Sequence, residues 1–378
     1  MFKLKKITSL FLLSLLLMSI LCPQALAANP DDKAIKDVIA KYYNTRYEAL
    51  SALEEKDISS FWKTDNNPEY ELEVNTLSAD VNHRKMQLID LRFKSYNLQM
   101  DFENINVTND KADVKVKEII DFYQNASPNT CSGMRDDHII KLEKINNNWL
   151  ITSDSSNNSS KKILSALIER GNTASQAKAK ILERSKEELL EKKAIASTPN
   201  KASQSVATTL SLQPYNASYA AAWAYQYAYS DNPSPWYTYS SGEGGDCTNF
   251  VSICLYKGDI PFDTVGDPRY NQRWFWCNAS NYTPTWTGVN PLWDYAINDT
   301  GYGLSASSVA RQYACTGDIV QFSDGSWHHS AFINNAYTYN NYRFIFICCH
   351  SSNQRDLNLD NYLTSETRRY LHINGWYN

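Results

Sequence analysis

The 378-residue sequence lacks a second long apolar run, a basic surplus, an internal repeat and the ligand spacing of a zinc site. Each absence removes a class of protein. After the N-terminus no stretch reaches the roughly 20 apolar residues that a membrane helix needs, so stable membrane insertion is not expected. The formal charge is -4, which leaves no electrostatic footprint for nucleic acid. It also gives no charge-driven affinity for an anionic membrane surface. Without a 20–50-residue period a solenoid is excluded. The cysteines and histidines that a metal reading would use are Cys247, Cys254, His328 and His329. They show a C-x6-C interval and two adjacent histidines, not the short spacings of structural zinc sites, so no metal or cofactor is expected.

What is present begins with one apolar run. Lys3, Lys5 and Lys6 precede it, Ile7 to Leu21 form it, and "ALAA" at 25–28 supplies small residues. The pattern is that of a secretory signal peptide, residues 1–27, cut after Ala27. Leu21 before Cys22 argues against a lipoprotein site. The expectation is an exported protein, secreted or associated with the cell wall, with a formal charge of -7 after three lysines are removed.

Composition then divides the chain. Twenty of 24 lysines lie in 28–212 and only Lys257 follows them, whereas 19 of 25 tyrosines and eight of ten tryptophans lie in 213–378. Such different material points to separate domains. In 28–154, Ile35, Val38, Ile39, Tyr42 and Tyr43 have helical spacing. A second helix is expected over about Asp80 to Arg92. Strands are expected at 95–108, 111–124, 135–145 and 149–154, separated by "NDK" and "NNN" turns. This is a small α+β unit, and its element order resembles the NTF2-like and ketosteroid-isomerase-like cone. Residues 155–212 read as helical material, broken near Gly171 and Asn172, and then a linker over 197–205.

The chemistry concentrates in 213–378. In "GGDCTNFVS", Cys247 precedes Phe250, Val251, Cys254 and Leu255 at helical spacing, and "KGDIP" stops the helix. Cys247 therefore stands at a helix start, where backbone N–H groups and the positive end of the dipole stabilise a thiolate. The same donors can hold an oxyanion. Gly244 and Gly245 leave room for a substrate, and Asp246 is placed to cap the helix. A thiol nucleophile needs a base. His329, in "HHSAFI" at the start of a strand, is the candidate. His350, at the end of "FIFICCH", is the candidate to orient it, with Asn353 as the alternative. His328 reads as an edge residue and His372 as structural. Trp236, Trp274, Trp276 and Trp286 either fill the core or line a groove. The seven cysteines of the exported chain would leave room for up to three bridges beside a free thiol. Cys348 and Cys349 should face opposite sides of a strand.

The runs "YAAAWAYQYA", "GGDCTNFVSICLYKGDIP", "PTWTGVNPLWDY", "GDIVQF", "HHSAFI" and "CHSSNQRD" together resemble the putative amidase domain family of bacteria over about 213–377. That family is similar in layout to NlpC/P60 and CHAP proteins. The resemblance implies an α+β, papain-like cysteine hydrolase acting on amide bonds, most plausibly on peptidoglycan or related cell-wall peptides. It implies Cys247 as nucleophile, His329 as base and His350 as orienting residue, with Asp246 and Gly245 supporting the helix start. Ile253 stands where the family often has Gln, a difference that bears on substrate choice. The competing expectations are an inactive wall-binding module and an acyl transferase using the same thiol.

Overall fold

The computed structural model describes residues 30–196 and 211–378, except 268, 270, 299, 300, 364 and 365. The expected signal peptide and linker lie outside the described residues. The chain is mixed α+β. Among the described residues no helix is long and apolar enough to cross a membrane.

Helix α1 (Pro30–Ala52) places Ile35, Ile39, Tyr42 and Tyr43 on one buried face, as their spacing predicts. Helix α2 (Pro68–Met86) starts 12 residues before the expected Asp80 and stops before Arg92. The Asn67 side chain accepts hydrogen bonds from the Glu69 and Tyr70 N–H groups, and Pro68 occupies the first turn. Both favour a helix start there. Four strands follow: β1 (Phe93–Thr108), β2 (Lys111–Gln124), β3 (Ser127–Ile145) and β4 (Asn148–Ser155). Alternate residues of β2, among them Val114, Val116, Ile120 and Phe122, are buried in the core that α1 covers. Helices α3 (Ser159–Glu169) and α4 (Ala174–Ala196) are separated at Gly171 and Asn172, as expected.

The C-terminal half contains β5 (Leu212–Gln213), α5 (Ala217–Tyr227), α6 (Cys247–Lys257), β6 (Trp276–Asn278), β7 (Asn281–Tyr282), α7 (Pro284–Thr287) and α8 (Val289–Asn298). Strands β8 (Gly303–Val309), β9 (Ile319–Ser323), β10 (Trp327–Tyr339), β11 (Tyr342–Cys349), β12 (Gln354–Asn358) and β13 (Thr367–Tyr377) complete it. One antiparallel sheet runs through both halves in the order β1-β2-β3-β12-β11-β10-β9-β13-β5, with β4 on β3 and β8 on β13. The join is made possible by the length of β3. Its first part pairs with β12 at Gly133 and Met134, and its second part pairs with β4 from Ile139 to Ile145.

The central strands are buried on both faces. Val320, Phe322, Ala331, Ile333, Ile345, Ile347 and Cys349 extend the core begun by α1, while Ile319, Phe332, Cys348 and Leu371 face the core under α5 and α6. Cys348 and Cys349 thus face opposite sides. All seven described cysteines are free, so the bridges allowed by composition are not formed among them. Trp274, Trp276 and Trp286 are buried and Trp236 packs against their core, stacking on Trp286 at 5.7 Å between centroids. These tryptophans fill the core rather than line a groove.

Candidate active site

The approach to α6 is set by backbone geometry. Gly244 (φ +99) and Gly245 (φ +83) are consecutive left-handed residues, which glycine adopts without a side-chain penalty. A Cβ on Gly245 would also stand 3.2 Å from Ser351 Oγ. The two glycines therefore serve the turn itself.

Asp246 occupies the cap position of α6, but its carboxylate does not cap the helix. It turns inward instead. Oδ1 accepts from the Tyr239 N–H at 2.9 Å and Asn249 Nδ2 at 2.7 Å. Oδ2 accepts from Asn232 Nδ2 at 2.8 Å and lies 2.6 Å from His350 Nδ1. A buried carboxylate needs this many donors to offset its desolvation, and the helix N–H groups were not the nearest ones. The Asp246 N–H donates to Ser351 Oγ at 3.1 Å.

Cys247 begins α6 and is buried. Burial pushes its thiol up, against the opposing effect of the Ser330 and Thr248 N–H groups. Loss of water outweighs these donors, of which only Thr248 belongs to the helix start, Ser330 being on β10. Thr248 Oγ1 lies 3.0 Å from Ser330 Oγ, which also accepts from Gln321 Nε2 at 3.2 Å. These bonds fix the first turn of α6 against β10, one residue beyond His329.

Three histidines surround this point and differ in what their rings touch. His350 is fully engaged. Nδ1 faces Asp246, Nε2 lies 2.9 Å from the Tyr227 carbonyl, and the ring stacks on Phe250 at 4.0 Å. Its ring holds Asp246 and the end of α5 and makes no hydrogen bond to His329. His328 is also engaged: Nε2 lies 3.0 Å from Glu366 and Nδ1 lies 3.0 Å from the Ser326 carbonyl. The Glu366 bond raises its pKa to about 9, against partial burial. His329 differs from both. Its Nε2 is buried with no hydrogen-bond partner, and its ring lies 5.6 Å from that of Phe322. His329 and Cys247 are not hydrogen-bonded to each other. Their positions follow from strand parity: Ser330 and Phe332 face α6, and Ala331 and Ile333 face the other core.

Two adjoining pockets meet here. One, of about 370 Å³, is lined by Gly245, Asp246, Cys247, His328, His350 and Asn353, among others. The second, of about 260 Å³, is lined by His329 with Leu167, Ser352 and Tyr362, among others. His328, Ser351, Asn157 and Lys162 belong to both. The structure thus gathers Gly245, Asp246, Cys247, His350 and Asn353 around one pocket and puts His329 in its neighbour. Asn353 (φ +35) contributes its carbonyl to the Arg135 N–H at 3.0 Å. Ser351 (φ +72), Thr248, Ser330 and the N-terminal-half residues of the walls were not singled out from sequence. Their role depends on strand neighbours distant in the chain, which leaves no local signal.

One cluster of ligand-type side chains lies elsewhere among the described residues. Cys315, Asp318 and His372 bring one ligand atom each within 4.8 Å of one another. The Asp318 carboxylate already accepts from the Cys315 and Ile373 N–H groups and pairs with His372 Nδ1, so these contacts account for the cluster. His372 is structural in this sense.

Comparison with known proteins adds two findings. Over 92 residues the chain is 29% identical to the uncharacterized protein YhbB of Bacillus subtilis (strain 168), a match that covers 23% of this chain and 28% of that protein. Residues 214–373 match the family model described as a putative amidase domain. The cysteine helix, the histidine strand and the His350 turn all fall inside that segment, and the chain thereby carries a domain of the putative amidase family at residues 214–373.

Proposed function

We propose that the protein is an exported cysteine-dependent amidase acting on peptidoglycan or related cell-wall peptides. The observation that carries the reading is the placement of Cys247, first residue of α6, in a pocket wall inside the amidase-family segment. His329 is the base, because it keeps a buried ring nitrogen without a partner, whereas the nitrogens of His328 and His350 are taken. At rest the ring lies beside Phe322, on the face of β10 opposite Ser330 and α6, so the start of β10 has to rotate for the ring to reach the sulfur. Catalytic bonds are often long or unmade before substrate arrives.

The chemistry balances without a cofactor. His329 takes the Cys247 proton as Sγ attacks the amide carbonyl carbon, and the N–H groups at the start of α6 stabilise the oxyanion. The imidazolium gives its proton to the leaving amine as the C–N bond breaks, leaving a thioester. Water, deprotonated by His329, attacks the thioester and releases a carboxylic acid and the thiol. His350 acts as a positioning residue through Asp246. Export is supported by the apolar run from Ile7 to Leu21 and the small residues near Ala27.

The test is mass spectrometry of purified peptidoglycan incubated with wild type and with Cys247→Ala. New amine and carboxylate ends produced only by wild type are expected. Equal cleavage by the variant would sink the mechanism, and an unchanged rate in His329→Ala would move the base elsewhere.

A further inference from the structure

The N-terminal half reaches into the Cys247 pocket. Arg135 and Asp137 of β3, Asn157 of the loop after β4 and Lys162 of α3 form part of its walls. They arrive there because β3 pairs with β12, just after the turn that carries His350 and Ser351, and because the Arg135 N–H bonds the Asn353 carbonyl.

The charges of these walls are unevenly compensated. The Arg135 guanidinium donates from Nη1 to the Tyr229 carbonyl, its Nε finds no acceptor, and it forms no ion pair among the described residues. Lys162 Nζ donates to the neutral Asn157 Oδ1 at 2.9 Å and likewise has no ion pair among them. His328, in the same wall, is balanced by Glu366. Asp246 is consumed by four donors. Asp137 and Asp231 also line the pocket, but both are exposed, as Lys162 is, so water and salt weaken the field of all three. Arg135, less exposed than these two carboxylates, forms no ion pair with either. With Nη1 already donating and Nε buried, Nη2 is the atom placed to make a charge-assisted bond to a carboxylate.

We propose that Arg135, with Lys162 beside it, selects substrates carrying a carboxylate near the scissile amide, so that the N-terminal half is a specificity element of the site. This rests on the amidase reading. It gives the N-terminal half a chemical task that a spacer would not have.

Binding to full-length Cys247→Ala tests it apart from turnover. The probes are N-acetyl-glycyl-alanine and its C-terminal amide, followed by calorimetry. The free acid is expected to bind about tenfold more tightly, a preference of about 1.4 kcal/mol. Arg135→Ala should erase that preference, Arg135→Lys should keep part of it, and Lys162→Ala should reduce it severalfold. Added salt should narrow it. Equal affinities, no binding of either probe, or a preference that survives Arg135→Ala in a protein of unchanged melting temperature overturns the proposal. Loss or retention of wild-type cleavage in Cys247→Ala decides the amidase reading separately.

Discussion

His350 Nδ1 lies 2.6 Å from Asp246 Oδ2, and both side chains are only 3% exposed. The other ring nitrogen faces a carbonyl, so both nitrogens of the ring point at acceptors. The pair clamps the residue before Cys247 to the end of β11. Removing one partner of a buried pair leaves the other uncompensated, at a cost of about 3–5 kcal/mol. His350→Ala should therefore lower stability by about 3 kcal/mol in urea unfolding. A loss below about 1 kcal/mol would mean that Asn232, Asn249 and Tyr239 hold Asp246 unaided.

The Cys247 thiol should resist alkylation at rest. Burial raises its pKa, so less thiolate exists at neutral pH than for a free cysteine. The rate of iodoacetamide labelling at Cys247, followed by peptide mass spectrometry, is expected to rise only at alkaline pH, with a midpoint above the ordinary thiol range. A midpoint near neutrality would show instead a thiolate–imidazolium pair formed without substrate.

His328 should remain charged at neutral pH. Its pKa is raised to about 9 in the folded protein, above the 6.5 of a free imidazole, chiefly through the bond to Glu366. The stability this contributes is complete below about 6.5 and is lost as pH rises through about 9. An NMR titration of the His328 ring should show the raised midpoint, and Glu366→Gln should return it toward 6.5. An identical midpoint in that variant would assign the shift to other neighbours.

The two glycines before Asp246 should tolerate alanine unequally. Gly244→Ala meets only the left-handed backbone penalty, about 1 kcal/mol, since nothing lies within 4 Å of the new Cβ. Gly245→Ala meets that penalty and also the Ser351 Oγ at 3.2 Å, so it should cost more and disturb the Asp246 N–H bond to Ser351. Comparison of the two melting temperatures checks the order.

Local chemistry made much of this legible. The period of Ile35, Ile39 and Tyr42, the turns between β1 and β2 and between β3 and β4, and the glycine stop after Lys257 are all written within a few residues. The start of α2 escapes a periodicity reading although Asn67 and Pro68 announce it, because the buried Glu73, Asp80 and Arg84 hide its period. The first part of β3 and the whole of β12 were missed for a different reason. "SPNTCSGM" and "QRDLN" carry little β-branched alternation and become strands by pairing with β2 and β11, and they meet each other only at Gly133 and Met134. At the site, the residue types around Cys247 were visible, but the partner of His350 was not. Nothing local distinguishes a histidine that holds a carboxylate from one that orients a base.

The seam between β3 and β12 also bears on what becomes of either half alone. Cutting the chain in the linker and separating the pieces would bare the outer edge of β12 and the matching stretch of β3, each with unpaired N–H and C=O groups. An uncovered edge invites other strands, including those of a second copy. The amidase segment released by proteolysis would thus be prone to self-association along β12, the strand that follows the His350 turn.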